Sequence, residues 1–171
     1  MKNENEFNAY LGKELRKLRN PRGFAYMKMS ERFQEGASDF YLAQGGVSAF
    51  VECKFISELP VKLTTKVLGH QFTGAQLKFL DDMELGGIKG YGLVAVKRLE
   101  VMVLVGRHYV KEWTLGEFIQ LLQSNQANTI AWHDVPLLLA VLFPKNYQIT
   151  DYEQKSRGGI EILMTTGSAH T

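Results

Sequence analysis

"DFYLAQGGVSAFVECKF", residues 39–55, decides how this chain is read. Two short apolar runs flank a Gly pair, the pattern of a β-hairpin. The second run nevertheless carries Glu52 and Lys54, where a core strand would be apolar. Side chains alternate along a strand, so Ala49, Val51, Cys53 and Phe55 share one face, and Phe50, Glu52, Lys54 and Ile56 the other. With the turn over "AQGG" (43–46), Leu42 faces Val47 and Asp39 faces Phe50, which makes Glu52 the diagonal neighbour of Asp39 on one face. Two carboxylates and an amine converge there. Diagonal neighbours lie about 7 Å apart, so two leaning carboxylates can share a hard cation such as Mg²⁺. An ion held by so few protein groups keeps positions for water and a phosphate oxygen, which phosphodiester hydrolysis needs. Lys54 then stands where it can orient or deprotonate the attacking water and offset charge building on the phosphate. Taken alone, Glu-x-Lys is also the pattern of an ordinary solvated strand face.

The flanking helices add two polar groups. Over 6–18 a helical period puts Phe7, Leu11 and Leu18 on one stripe, with Tyr10 and Leu15 at its edges. Glu14 falls at the centre of that stripe, seven residues from Phe7 and four from Leu18, so it is expected to point inward, where a carboxylate needs a partner. "TGAQLKFLDDMELGG" (73–87) reads as a second helix, opened by a capping box of Thr73 with Gln76 and closed by Gly86 and Gly87. Gln76 shares a helical face with Phe79, Leu80 and Met83. It is therefore either a cap residue bonded back to Thr73, or a group aimed at the hairpin, or both.

The remaining segments are plainer. "NPRG" (20–23) ends the first helix, and a polar connector, "SERFQEGAS" (30–38), leads to the hairpin. "SELPVKLTTKVLGH" (57–70) is a loop rich in Lys and Thr, expected to be mobile. "GYGLVAVKR" (90–98) and "LEVMVLVGR" (99–107) are β-rich runs, expected to pair. The C-terminal third reads as helical: "TLGEFIQLL" (114–122) begins with a capping box of Thr114 and Glu117, and a further helix starts at Asp134 with Pro136 in its first turn. These helices either supply a partner interface or complete the core. The last residues show little periodicity beyond "GIEILM", and the end "TTGSAHT" is expected to fray.

With these residues in order, the chain resembles the PD-(D/E)xK nuclease superfamily: a helix bearing Glu14, then Asp39, then "ECK" with Glu52 and Lys54, then a helix begun by Gln76 and closed by "GGI". Within that superfamily it is most similar to the Holliday-junction resolvase branch, over residues 6 to about 98. The resemblance implies an α/β fold with a restriction-endonuclease-like αβββαβ core, a mixed central sheet and a helical C-terminal extension. It implies a divalent-metal site on Asp39 and Glu52, with Mg²⁺ as the ion and Mn²⁺ able to substitute. It also implies a catalytic Lys54, a Glu14 near the metal or its waters, and a Gln76 that orients Lys54 or the substrate. Ser30 resembles a substrate-contacting serine of archaeal resolvases. Two features depart from the pattern: Ala37 and Ser38 stand where a Pro commonly precedes the aspartate, and Glu14 is offset from the usual helix acid. The nuclease domain is expected over 1–150, with its core at about 6–110 and the extension at about 113–145, followed by a tail over 151–171.

Bulk properties exclude little and agree with this. The formal net charge of the 171 residues is +2, so any contact with DNA has to come from local clustering. Lys13, Arg16, Lys17, Arg19 and Arg22 give the first helix and its exit a basic edge, and Lys62 and Lys66 lie on the following loop; a solvated helix face is the other reading of these charges. The single Cys53 cannot form an internal disulfide, and it lies on the opposite strand face from Glu52, as a buried apolar thiol would. The four histidines lack metal-ligand spacing, although His70 falls beside Gln71 near the hairpin. "GGIKGYG" (86–92) follows a helix, the wrong order for a nucleotide-binding loop, so no nucleotide cofactor is expected. The longest apolar stretch, "VPLLLAVLF" (135–143), is too short to span a bilayer, and the start lacks a signal-peptide pattern; a soluble, intracellular, cytoplasmic protein is expected. The sequence-level expectation is a Mg²⁺-dependent endodeoxyribonuclease of DNA recombination and repair, selective for branched DNA such as four-way junctions. Two symmetric cuts need two sites, hence a homodimer. The alternatives are a noncatalytic nucleic-acid-binding module on the same fold, or a nuclease acting on duplex, flap or single-stranded DNA.

Overall fold

A computed structural model describes residues 1–18, 24–29, 36–69 and 71–144. Over them the chain runs α1 (Glu4–Leu18), β1 (Phe24–Lys28), β2 (Phe40–Gln44), β3 (Val47–Ile56), α2 (Gly74–Leu85), β4 (Lys89–Val96), β5 (Val101–Gly106), α3 (Leu115–Gln123), β6 (Ala127–Ala131) and α4 (Val135–Leu142). The strands form one sheet in the order β1-β2-β3-β4-β5-β6, with β3 and β4 parallel and the other neighbours antiparallel. From α1 to β4 this is the αβββαβ order around a mixed sheet, so the α/β, restriction-endonuclease-like class expected above describes the chain.

The hairpin is tighter than the "AQGG" turn. Gly45 and Gly46 both take positive φ, 58° and 78°, as a two-residue type I′ turn requires. The register is accordingly Gln44 against Val47, Leu42 against Ala49 and Phe40 against Val51. A slip of two residues leaves every side chain on its expected face. It also brings Asp39, one step before β2, directly across from Glu52 instead of diagonal to it.

Two short strands were not legible from the residues. β1 pairs with β2 at one edge; the residue pattern showed only the hairpin, whereas the resemblance implied a third strand. β6 corrects the expectation that the C-terminal third is helical: it pairs with β5 at the other edge, between α3 and α4. Of its five residues only Ile130 is buried, too little alternation to mark a strand in the sequence.

Each face of the sheet is covered by two helices. Phe7, Leu11 and Leu15 of α1, with Leu138, Leu139 and Leu142 of α4, pack on Ala49, Val51, Cys53, Leu93, Ala95 and Ile130. α4 is buried nearly all round, so it completes the core. On the opposite face, Val94, Val96, Val103 and Val105 meet Phe72, Trp113 and Phe118, while Phe50 packs on Phe79 and Leu80 of α2. The segment 57–69 does not hang free, because Val67 N–H donates to Trp113 O, and Leu115 and Gly116 N–H donate to Thr65 and Leu63 O, at 2.8–3.0 Å. These bonds tie it to the start of α3.

Candidate active site

Glu52 and Lys54 lie in the strand row that faces α2, between Phe50 and Ile56, and are only 1% and 4% exposed. They are not solvated surface charges. Lys54 Nζ donates to Glu52 Oε1 at 2.9 Å, and Gln76 Nε2 donates to the same oxygen. Gln76 thus serves both roles weighed for it, since its Oε1 also accepts from Thr73 N–H in the capping box. Phe72 lies over Lys54, with Nζ 5.5 Å from the ring centroid. Glu52 Oε2 is buried without a hydrogen-bond partner among the described residues.

Asp39 sits where β2 has not yet begun, so the ladder beside β3 stops at Phe40 and Val51. Its carboxylate takes over the next donor: Cys53 N–H bonds to Oδ2 at 2.8 Å. Asn8 Nδ2 on α1 donates to Oδ1, also at 2.8 Å. One helical turn before Asn8, Glu4 Oε1 stands 3.6 Å from Lys54 Nζ. α1 packs on the other face of the sheet, yet these two side chains reach the cluster past the end of β2.

Burial and neighbouring charge both act on these groups. Burial, then the neighbouring Asp39 carboxylate, push Glu52 up to about 8, against the opposing pull of Lys54. Burial also raises Asp39, although the Cys53 N–H and Lys54 hold it down in part. For Lys54 burial disfavours the charge, but Glu52, Glu4 and Asp39 outweigh it and the net shift is upward. One ammonium thus faces three carboxyl groups, and it does not hold Glu52 ionised at its ordinary pKa.

Two glycines hold the parts together. Gly36, with φ at +76°, lets the segment before Asp39 pass so close to α2 that a Cβ there would lie 2.5 Å from the Ala75 carbonyl carbon. Gly92, opposite Glu52 on β4, leaves room for the Phe72 ring, which a Cβ would meet at 2.9 Å. The Lys54 side chain is sheltered as a result.

The structure brings together Asp39, Glu52, Lys54 and Gln76, and leaves out Glu14. Instead of pointing inward, Glu14 is part-exposed and bonded to Lys17 Nζ at 2.6 and 2.8 Å. The buried stripe of α1 centres on Leu11 and Leu15, the latter 0% exposed, which turns position 14 to the side. Ten residues of helix, about 15 Å, also separate it from Glu4. The α1 groups at the cluster are Glu4 and Asn8, both passed over in the sequence. Asn8 was findable, because it stands one residue from Phe7 and three from Leu11, a polar residue at core spacing. Lys13, Arg16, Lys17, Lys62 and Lys66 are exposed; Arg16 bonds to Tyr26, Lys17 to Glu14 and Lys66 to Glu112. Ser30, Arg19, Arg22, His70 and the tail over 151–171 lie outside the described residues. Cys53 is buried on the α1 face, its thiol pushed well up by burial. No helix among the described residues is long and apolar enough to cross a membrane.

The donor set suits a hard divalent cation: two carboxyl groups across one ladder step, a carboxyl oxygen with no hydrogen-bond partner among the described residues, and three carboxyl groups around one ammonium. Among the described residues no group of three or more His, Cys, Asp and Glu is arranged to hold a metal ion. Two carboxylates with water completing the shell is the habit of Mg²⁺ rather than of Zn²⁺ or a caged Ca²⁺.

Neither a protein-family model nor a curated protein matches the chain. Among solved structures it is similar to Hjc, a Holliday junction resolvase from the archaeal hyperthermophile Archaeoglobus fulgidus, at 16% identity and a TM-score of 0.45, covering 84% of this chain and 93% of that chain.

Proposed function

We propose that this protein is a metal-dependent DNA endonuclease. The observation that carries the reading is the buried Asp39, Glu52 and Lys54 cluster, in which one Glu52 oxygen has no partner among the described residues and three carboxyl groups face one ammonium. A buried ion pair kept only for structure is favourable when its remaining groups are satisfied. Here they are not, and a bound dication would relieve both defects.

Asp39 and Glu52 would hold the ion, Mg²⁺ or Mn²⁺. When bound, it supplies Lewis-acid polarisation of the phosphate and a more acidic water. Lys54, fixed by Glu52 and Glu4, orients the water and stabilises charge on the phosphorus oxygens. Gln76 fixes the Glu52 carboxylate through its amide, and Phe72 keeps bulk water from the ammonium. Lys13, Arg16 and Lys17 begin about 14 Å along α1 from Glu4, in reach of a phosphate backbone passing the cluster, with Lys62 and Lys66 as further phosphate contacts. The resemblance of these residues to resolvases favours branched DNA and a contact from Ser30; the charge of Arg22 adds a phosphate contact, and two symmetric cuts need a homodimer.

The test is incubation with labelled four-way junction, flap and linear duplex DNA in Mg²⁺, in Mn²⁺ and in chelator, beside Asp39→Asn. Metal-dependent cutting of the junction that Asp39→Asn lacks, with DNA binding kept, is the expected result. Equal cutting of all three substrates would remove the junction preference. Binding by the wild type without cutting of any substrate would favour a noncatalytic module.

A further inference from the structure

Asn8 is 5% exposed, within the stripe that Phe7, Leu11 and Leu15 bury against the sheet. A buried amide is costly wherever it is left unbonded. Among the described residues only one end of this one is bonded. Its Nδ2 donates to Asp39 Oδ1 at 2.8 Å, whereas its Oδ1 is buried with no partner among the described residues. An ionised carboxylate can only accept, so the amide has to present its nitrogen to Asp39 and turn its carbonyl away. The other Asp39 oxygen takes the Cys53 N–H at 2.8 Å. Each oxygen therefore has its own donor, one from a helix and one from the neighbouring strand. The carboxylate cannot rotate about χ2 without giving up both.

We infer that Asn8 is a positioning residue: its amide N–H holds the Asp39 carboxylate in the orientation that binds the divalent cation, an inference that rests on the nuclease reading above. An apolar side chain of similar shape would continue the α1 stripe without an unpaired amide oxygen, but would take the donor from Asp39 Oδ1. The amide is thus a local liability offset by its hold on Asp39. Groups that orient metal-binding side chains typically change metal affinity about 10–100-fold when removed.

The experiment is calorimetric titration of the full chain with Mn²⁺, together with thermal unfolding, for wild type, Asn8→Leu, Asn8→Ala, Leu18→Ala and Asp39→Asn. Asn8→Leu keeps the branched four-atom shape and removes the donor. It is expected to unfold within a few degrees of wild type, because removing the unpaired amide oxygen offsets the donor lost to Asp39, yet to bind Mn²⁺ about 10–100-fold more weakly, with cleavage recovering as Mn²⁺ is raised. Asn8→Ala is expected to show the same loss of affinity. Leu18→Ala trims packing on the same helix without touching Asp39, and its affinity is expected to stay within about twofold of wild type, since distant sites act independently. Wild-type affinity in Asn8→Leu, or an equal loss in Leu18→Ala, would overturn the positioning role and leave the nuclease reading standing. A wild type that binds Mn²⁺ no better than Asp39→Asn would overturn both.

Discussion

Replacing Glu52 by Gln should change how the stability of the metal-free protein depends on pH. The Glu52 carboxyl is raised from an ordinary 4.5 to about 8, first by burial and then by Asp39. Between those values the folded chain keeps a proton that the unfolded chain has released. Stability from this group is therefore complete below about pH 4.5, declines as pH rises, and is gone by about pH 8. Each pH unit inside the window is worth about 1.36 kcal/mol, so the wild type should lose about 2–3 kcal/mol between pH 5.5 and 7.5. Lys54, whose shift is upward from 10.5, stays charged throughout and adds no slope there. Asp39 is raised in the same sense, by burial first. Gln at position 52 keeps an acceptor for Lys54 but cannot ionise. Urea unfolding in chelator at three pH values should therefore show Glu52→Gln flatter than wild type by most of that amount. Added Mg²⁺ should reduce the wild-type loss, because the cation binds the ionised form. Parallel pH curves for the two proteins in chelator would refute the account of Glu52 as a buried, under-neutralised carboxyl.

Gly36→Ala should lower stability by about 2–4 kcal/mol in the same unfolding assay, since it adds left-handed strain to an overlap with the Ala75 backbone. A variant as stable as wild type would mean that the close approach to α2 does not depend on glycine. Gly92→Ala should cost about 1–3 kcal/mol and also slow cleavage, because the displaced ring is the one that covers Lys54; unchanged cleavage rates would separate Phe72 from the chemistry. Lys54→Ala should slow cutting by about 10²–10⁴-fold while DNA binding persists, as read by single-turnover kinetics and a binding titration.

The strand row carrying Glu52 and Lys54 was legible from alternation alone, because a period of two fixes faces whatever the pairing. Register was not: the Gly pair makes the whole turn, and only the sign of φ at Gly45 and Gly46 distinguishes that from a longer loop. Burial of the two charges depends on α2 and Phe72 arriving from far along the chain, so a solvated face remained a fair alternative in the sequence. On α1 the helical period located the stripe but not which of its polar neighbours meets the strands. Glu4 precedes the first apolar residue of the pattern, and Glu14 looked central only because Leu15 was placed at the edge. β1 and β6 are five-residue edge strands, held by pairing more than by their own pattern. α4 is apolar on every side, and such a helix reads alike whether it fills a core or meets a partner.

The most direct measurement is an anomalous difference map from crystals grown or soaked with Mn²⁺. A peak is expected about 2–2.5 Å from carboxylate oxygens of both Asp39 and Glu52, with Lys54 Nζ outside its coordination shell. At saturating Mn²⁺, a map without that peak, or with manganese bound only at other residues, would contradict a metal site on Asp39 and Glu52.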